Sequence, residues 1–190
     1  MSSNIYYIFM GGDRMDKVKK YHLSKFNKLL FLFPPLYLIH DLEEILTVEK
    51  FLVENSNIIP FRVTTLEFSF AFTLLWILAS IGCYKAFLDK KFIGMNPTTY
   101  LSFLVPGILL ANGIGHLLQF IFFKDYVPGI ITSIFILLPY SFLTAKFLIT
   151  ERVLTIKRIL SYLILGFVLQ APLALVAHFI SKLTLSLLLN

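Results

Sequence analysis

The densest group of chemistry-bearing side chains is the segment Pro34-Pro35-Leu36-Tyr37-Leu38-Ile39-His40-Asp41-Leu42-Glu43-Glu44. On a helix, His40, Glu43 and Glu44 stand at i, i+3 and i+4 and share one face. Asp41 points about 100° away from them. Tyr37 and Thr47 extend the same face one turn in each direction. A second group is Asn112-Gly113-Ile114-Gly115-His116, with Asn112 and His116 at i,i+4 and Gln119 a turn further on. Gly113 and Gly115 permit close approach of a neighbouring helix. A third pair, Gln170 and His178, lies two turns apart with Ala174 between them. Neutral imidazoles with a carboxylate form a borderline ligand set, suited to Zn²⁺ or non-haem Fe²⁺. Glu and His three or four residues apart is the spacing by which bundles bind metal from one helix. The candidate ligands are therefore His40, Glu44, His116 and His178. Such a set leaves a position for water, with Glu43 as general base and Asn112 beside it. Spacing alone does not rank Glu43 against Glu44 as the ligand.

The elements that carry these groups are apolar. Of the 190 residues, 57% are apolar by type and 15% are charged, and Phe alone occurs 20 times. A soluble domain is about 45–50% apolar and ~25% charged. Mean hydropathy is +0.80, which excludes a disordered tail, a disulfide scaffold and a soluble enzyme. The net charge of +6 does not indicate nucleic acid, because the basic residues flank apolar runs and do not interleave with aromatics. The single cysteine, Cys83, lies inside an apolar run and permits neither a disulfide nor a Cys-based zinc motif within one chain.

Five apolar runs cover residues 29–48, 66–88, 100–123, 127–149 and 159–189. Backbone groups in lipid must be satisfied internally, which excludes an open sheet. The short alternating segments of a β-barrel are absent. The expectation is an all-α integral membrane protein, a bundle of about five transmembrane helices. Residues 1–28 form a basic, cytoplasmic N-terminal segment that contains His22, and residues 29–190 form a single transmembrane domain. The segment 49–62 is the longest outer loop, with room for a short interfacial helix.

Charge orients the bundle. With the N-terminus inside, thirteen of the seventeen Lys and Arg residues fall on the cytoplasmic side, as the positive-inside rule requires. The C-terminus is then outside. In that orientation His40, His116 and His178 all sit in the outer half of their runs, and Glu67 opens the second run on the same side. Ionised groups near the bilayer centre cost ~2.5–3.5 kcal/mol each and mark functional sites. Three imidazoles at one depth exceed what packing alone requires.

His40-Asp41-Leu42-Glu43-Glu44 resembles the motif that names the HXXEE family of small bacterial integral membrane proteins. The pattern Asn112-x-x-x-His116, followed by Tyr126-x-Pro128-Gly129-x-x-Thr132 and Pro139, is similar to that family's second motif. The resemblance covers roughly residues 30–180 and implies no particular reaction, but it draws Tyr126, Pro128, Gly129 and Thr132 into consideration. Pro128-Gly129 would bend the backbone where the histidines gather. The His-Glu-x-x-His of intramembrane zinc proteases is absent. The paired glutamates of the CAAX-type proteases need a following arginine, and here Ile45-Leu46 follows.

Three readings follow. The first is a metal-dependent hydrolase acting on a lipid-like substrate near the outer leaflet. The second is a metal-independent isomerase or cyclase that moves protons on a sterol-like or prenyl substrate. The third, a proton or metal carrier, suits five spans without an inverted repeat less well. The lipid bilayer is the expected partner, nucleic acid is not, and the sequence leaves the oligomeric state open. Reporter fusions test the orientation: a fusion after Asn190 is expected to report an extracytoplasmic location, and a cytoplasmic signal there would overturn it.

Overall fold

The computed structural model describes residues 12–188, with side chains from residue 23 onward. The backbone forms five helical rods. They are α1 (Gly12–Glu54), α2 (Thr65–Phe87), α3 (Pro97–Phe123), α4 (Ile130–Thr150) and α5 (Ile156–Leu188). Among the described residues the sole non-helical pairing is an isolated bridge between Phe92 and Met95. Four rods, α2 to α5, are long and apolar enough to cross a membrane. The apolar stretch of α1 is interrupted by Asp41, Glu43 and Glu44.

Two boundaries differ from expectation. Rod α1 begins at Gly12, so residues 12–28 continue its helix, while residues 1–11 and the His22 side chain lie outside the described residues. At its other end α1 runs through Glu54, and the connection to α2 holds a turn but no separate interfacial helix. Val48, Phe51 and Leu52, at helical spacing, are buried and carry the helix past the expected end. Asn55 closes the helix, its backbone N–H and its side-chain amide both donating to the Phe51 carbonyl at 3.0 and 2.9 Å.

Helices in lipid gain little from hydrophobic contact with one another, so small residues and interhelical hydrogen bonds must hold them. The Trp76 indole donates to the Pro34 carbonyl at 2.9 Å, tying α2 to α1. The Tyr140 hydroxyl donates to the Leu29 carbonyl at 2.7 Å, tying α4 to α1. Gln170 donates to the Ile108 carbonyl at 2.9 Å and Ser181 to the Glu67 carbonyl at 2.7 Å, tying α5 to α3 and α2. Rods α3 and α5 cross where Gly107 meets Gly166.

Two stretches are wound as π-helix, Phe103–Leu109 in α3 and Ser133–Leu137 in α4. Pro106 lies inside the first and supplies no N–H to the α-helical ladder. Such insertions rotate everything beyond them and are frequent at functional sites. Here one immediately precedes Asn112 and His116, and the other immediately follows Thr132.

The core divides into two apolar clusters. Leu30, Phe33, Leu101, Val105, Leu137 and Leu148 belong to one, at the lysine-rich end of α1. Val48, Phe51, Val63, Phe68, Val127 and Ile130 belong to the other. Along α1, α3 and α4 the polar motifs fall between the two. The Gly107–Gly166 crossing leaves no space for a side chain: a Cβ on Gly166 would meet the Gly107 carbonyl. Gly166→Leu is expected to destabilise the bundle by about 1–3 kcal/mol through overpacking, read as a lower unfolding midpoint in detergent. Gly115→Ala, with open space around the added Cβ, should not lower it.

Candidate functional site

His40 and Glu44 project from one face of α1, and His116 from α3, into a common buried space. The three residues are 0%, 7% and 5% exposed. One ligand-capable atom from each lies within 4.8 Å of the other two. Glu44 Oε1 is 3.2 Å from His116 Nε2, and Glu44 Oε2 is 3.9 Å from His40 Nε2. The two imidazoles meet edge to face, with centroids 5.0 Å apart at 73°. The i,i+4 spacing of α1 supplies two members, and α3, entering after its π-helical segment, supplies the third.

The loop into α4 closes on this cluster at Gly129, which has φ +79°. A Cβ there would lie 2.7 Å from His40 Cε1, 2.9 Å from His116 Cε1 and 3.0 Å from Glu44 Cγ. Glycine is therefore required twice, for the left-handed backbone and for the space. Val127, Pro128 and Ile130 are buried on either side, so the Pro128-Gly129 bend does fall on the histidines.

Gly129 caps α4, whose first amides have no partner within their own helix. Glu43 supplies it. One of its oxygens accepts from the Ile131 amide at 3.1 Å and the Tyr126 hydroxyl at 2.8 Å. The other accepts from the Thr132 amide at 2.7 Å and the Thr132 hydroxyl at 2.6 Å. A carboxylate at a helix N-terminus also complements the helix dipole. Desolvation pushes the Tyr126 phenol above its ordinary value, Thr47 partly offsetting this and Glu43 adding to it, so Tyr126 remains a donor.

The chain of donors decides a tautomer. Thr132 has one hydroxyl hydrogen, and it points to Glu43 at 2.6 Å in preference to the Gly129 carbonyl at 3.3 Å. The 2.7 Å contact between His40 Nδ1 and Thr132 Oγ1 is then one in which His40 donates. With its proton on Nδ1, the His40 ring keeps a lone pair on Nε2, the nitrogen that faces Glu44. That nitrogen has no hydrogen-bond partner among the described residues, and neither do Glu44 Oε2 or His116 Nδ1.

Two of the expected roles change. His178 does not join the cluster: its ring lies against Phe68 and Phe61, with centroids 5.4 and 6.1 Å away. Its rod α5 packs on α2 and α3, which does not bring it to the α1 face that carries His40 and Glu44. Glu43 is not a free base, because four donors occupy its two oxygens. It positions Thr132 and, through Thr132, His40. Asn112 is half-buried and interacts with the His40 ring, with its Oδ1 unpartnered among the described residues. Glu67 serves α2 as the N3 residue of a capping box with Thr64. Asp41, not selected by the spacing argument, is 1% exposed and neither of its oxygens has a partner among the described residues. What spacing missed was the use of Tyr126, Gly129 and Thr132, for which the second motif was the available signal.

The fold and site together define an all-helical protein with membrane-spanning helices and a buried His/Glu/His cluster. The family described as a protein of unknown function with HXXEE motif matches residues 31–144, more than half of the chain, and the protein belongs to that family. No curated protein and no solved structure matches it. Because the Gly129 Cβ would enter the cluster, Gly129→Ala is expected to displace His40 or His116. Chemical shifts of the two imidazoles in labelled protein should move while the overall helix content stays constant.

Proposed function

We propose that the protein is a metal-dependent membrane enzyme in which His40 Nε2, His116 and a Glu44 oxygen hold one divalent ion, Zn²⁺ or Fe²⁺. The observation that carries this reading is the contact of His40 Nδ1 with Thr132 Oγ1 at 2.7 Å, beside the Thr132 hydroxyl's bond to Glu43 at 2.6 Å. A hydroxyl held by a carboxylate accepts a hydrogen bond from Nδ1–H, so that the Nε2 lone pair faces a carboxylate and a second imidazole in a buried space. Orientation of a ligating imidazole through its other nitrogen is the usual second layer of a metal site. Two histidines and one carboxylate also leave positions open for water and substrate.

A bound ion of this kind would polarise a substrate oxygen and acidify a water, which suits hydrolysis. The chain's own residues supply the rest. Glu43 and Thr132 hold the imidazole, and Gly129 with the apolar clusters keeps bulk water out. The unpartnered Glu44 Oε2 is available to accept a proton. Asn112, against His40, can hydrogen-bond a substrate oxygen. The position among membrane-spanning helices favours a lipid-like substrate. The thirteen-to-four distribution of basic residues favours an N-terminus in the cytoplasm and the cluster towards the outer leaflet, and the resemblance of the motifs to small bacterial membrane proteins favours a bacterial inner or plasma membrane.

The 3.2 Å contact between Glu44 and His116 supports a second reading, a metal-free isomerase or cyclase in which that pair moves protons. Metal analysis of purified protein separates the two. The wild type is expected to carry one divalent ion per chain, His116→Ala none, and His178→Ala the wild-type amount. Thr132→Val should weaken metal affinity about 10–100-fold, the usual cost of losing an orienting partner. A wild type without stoichiometric metal, and a cellular effect indifferent to chelators, would overturn the metal reading in favour of the proton-transfer one.

A further inference from the structure

At the lysine-rich end of the bundle, α1 and α2 leave an open groove of about 660 Å³. One part is polar, formed by Ser24, Asn27 and Lys28, and the other apolar, formed by Phe31, Leu32 and Phe87. Ser24, Asn27, Lys28 and Phe31 follow one another at helical spacing, so they form a single stripe along α1. The apolar members are open to the surroundings: Phe31 is 76% exposed and Phe87 49%.

The charges around the groove are predominantly positive. Residues 23–32 and 85–91 contribute Lys25, Lys28, Lys85, Lys90 and Lys91 against the single acid Asp89. Lys25 is engaged over the Phe147 ring at 5.3 Å and Lys85 over the Phe92 ring at 5.7 Å. Lys28, exposed at the groove, has no ion-pair partner among the described residues. We infer that the groove is a seat for one anionic phospholipid. Its phosphate accepts from the Lys28 ammonium, the Ser24 hydroxyl and the Asn27 amide, and an acyl chain lies along Phe31, Leu32 and Phe87. A basic pocket between helices at the cytoplasmic side is the usual form of such a site. A choline headgroup, with its own positive charge, is disfavoured beside Lys28, the one charged residue that lines the groove.

The groove is separate from the His/Glu/His cluster, and its occupancy does not depend on metal. The test is native mass spectrometry of the purified full-length protein, offered phosphatidylglycerol or phosphatidylcholine. Wild type is expected to retain phosphatidylglycerol in preference. Lys28→Ala should reduce that retention about fivefold, the effect of one lysine at an anionic surface. Lys28→Arg should restore it, which separates a lost charge from a lost fold. Lys157→Ala, at the same end but outside the groove, should retain phosphatidylglycerol as wild type does. Equal retention by Lys28→Ala and wild type would overturn the site, as would equal loss in Lys157→Ala, which would mean a diffuse field. Equal uptake of both lipids, or a second copy of the chain found in the groove instead, would also overturn it.

Discussion

A carboxylate between two helices in an apolar bundle must find donors, and Glu43 finds four of them at the start of α4. The geometry of the site depends on that single docking. It satisfies the two α4 amides that no helical carbonyl can reach, and it sets the orientation of the Thr132 hydroxyl. Through that hydroxyl it determines which nitrogen of His40 carries the proton. It also brings the preceding loop down onto α1, so that Gly129 closes over His40, Glu44 and His116. The two halves of the motif pattern, one on α1 and one at the α3–α4 loop, are thus the two sides of one contact.

The cluster is costly by itself. Burying a carboxylate and two imidazoles between apolar layers removes their water, and hydrogen bonds within the protein satisfy only part of what is lost. Among the described residues His40 Nε2, Glu44 Oε2 and His116 Nδ1 lack hydrogen-bond partners, as do both oxygens of Asp41, while His40 Nδ1 and Glu43 are satisfied. Rods α3 and α4 carry their π-helical segments next to the site residues, where a change of winding turns His116 and Thr132 relative to the remainder of each rod.

Much of this was readable in advance. The apolar composition and the run lengths identify a helical membrane bundle, and the 3.6-residue period places His40 and Glu44 on one face. The Asn112–His116 pair could be singled out because a polar i,i+4 pair in an apolar run has few reasons to exist. The boundaries of α1 were less readable, because residues 49–54 carry both charges and buried apolar groups, and only packing against Val63 and Phe68 shows which of these govern the helix.

The sequence by itself determined the class of protein, the five rods and the shared face on α1. Those properties depend on local composition and on helix period, which are written residue by residue. The tertiary structure decided which of the residues at one depth meet. Rotation about a helix axis and the choice of neighbouring rod depend on contacts far apart in the chain, such as Gly107 with Gly166 and Glu43 with Thr132. For that reason His178, expected to join the other histidines, packs against the rings of Phe61 and Phe68. For the same reason Glu43 and Glu44, adjacent in sequence and equivalent by spacing, part company: one docks on a helix terminus and the other faces two imidazoles.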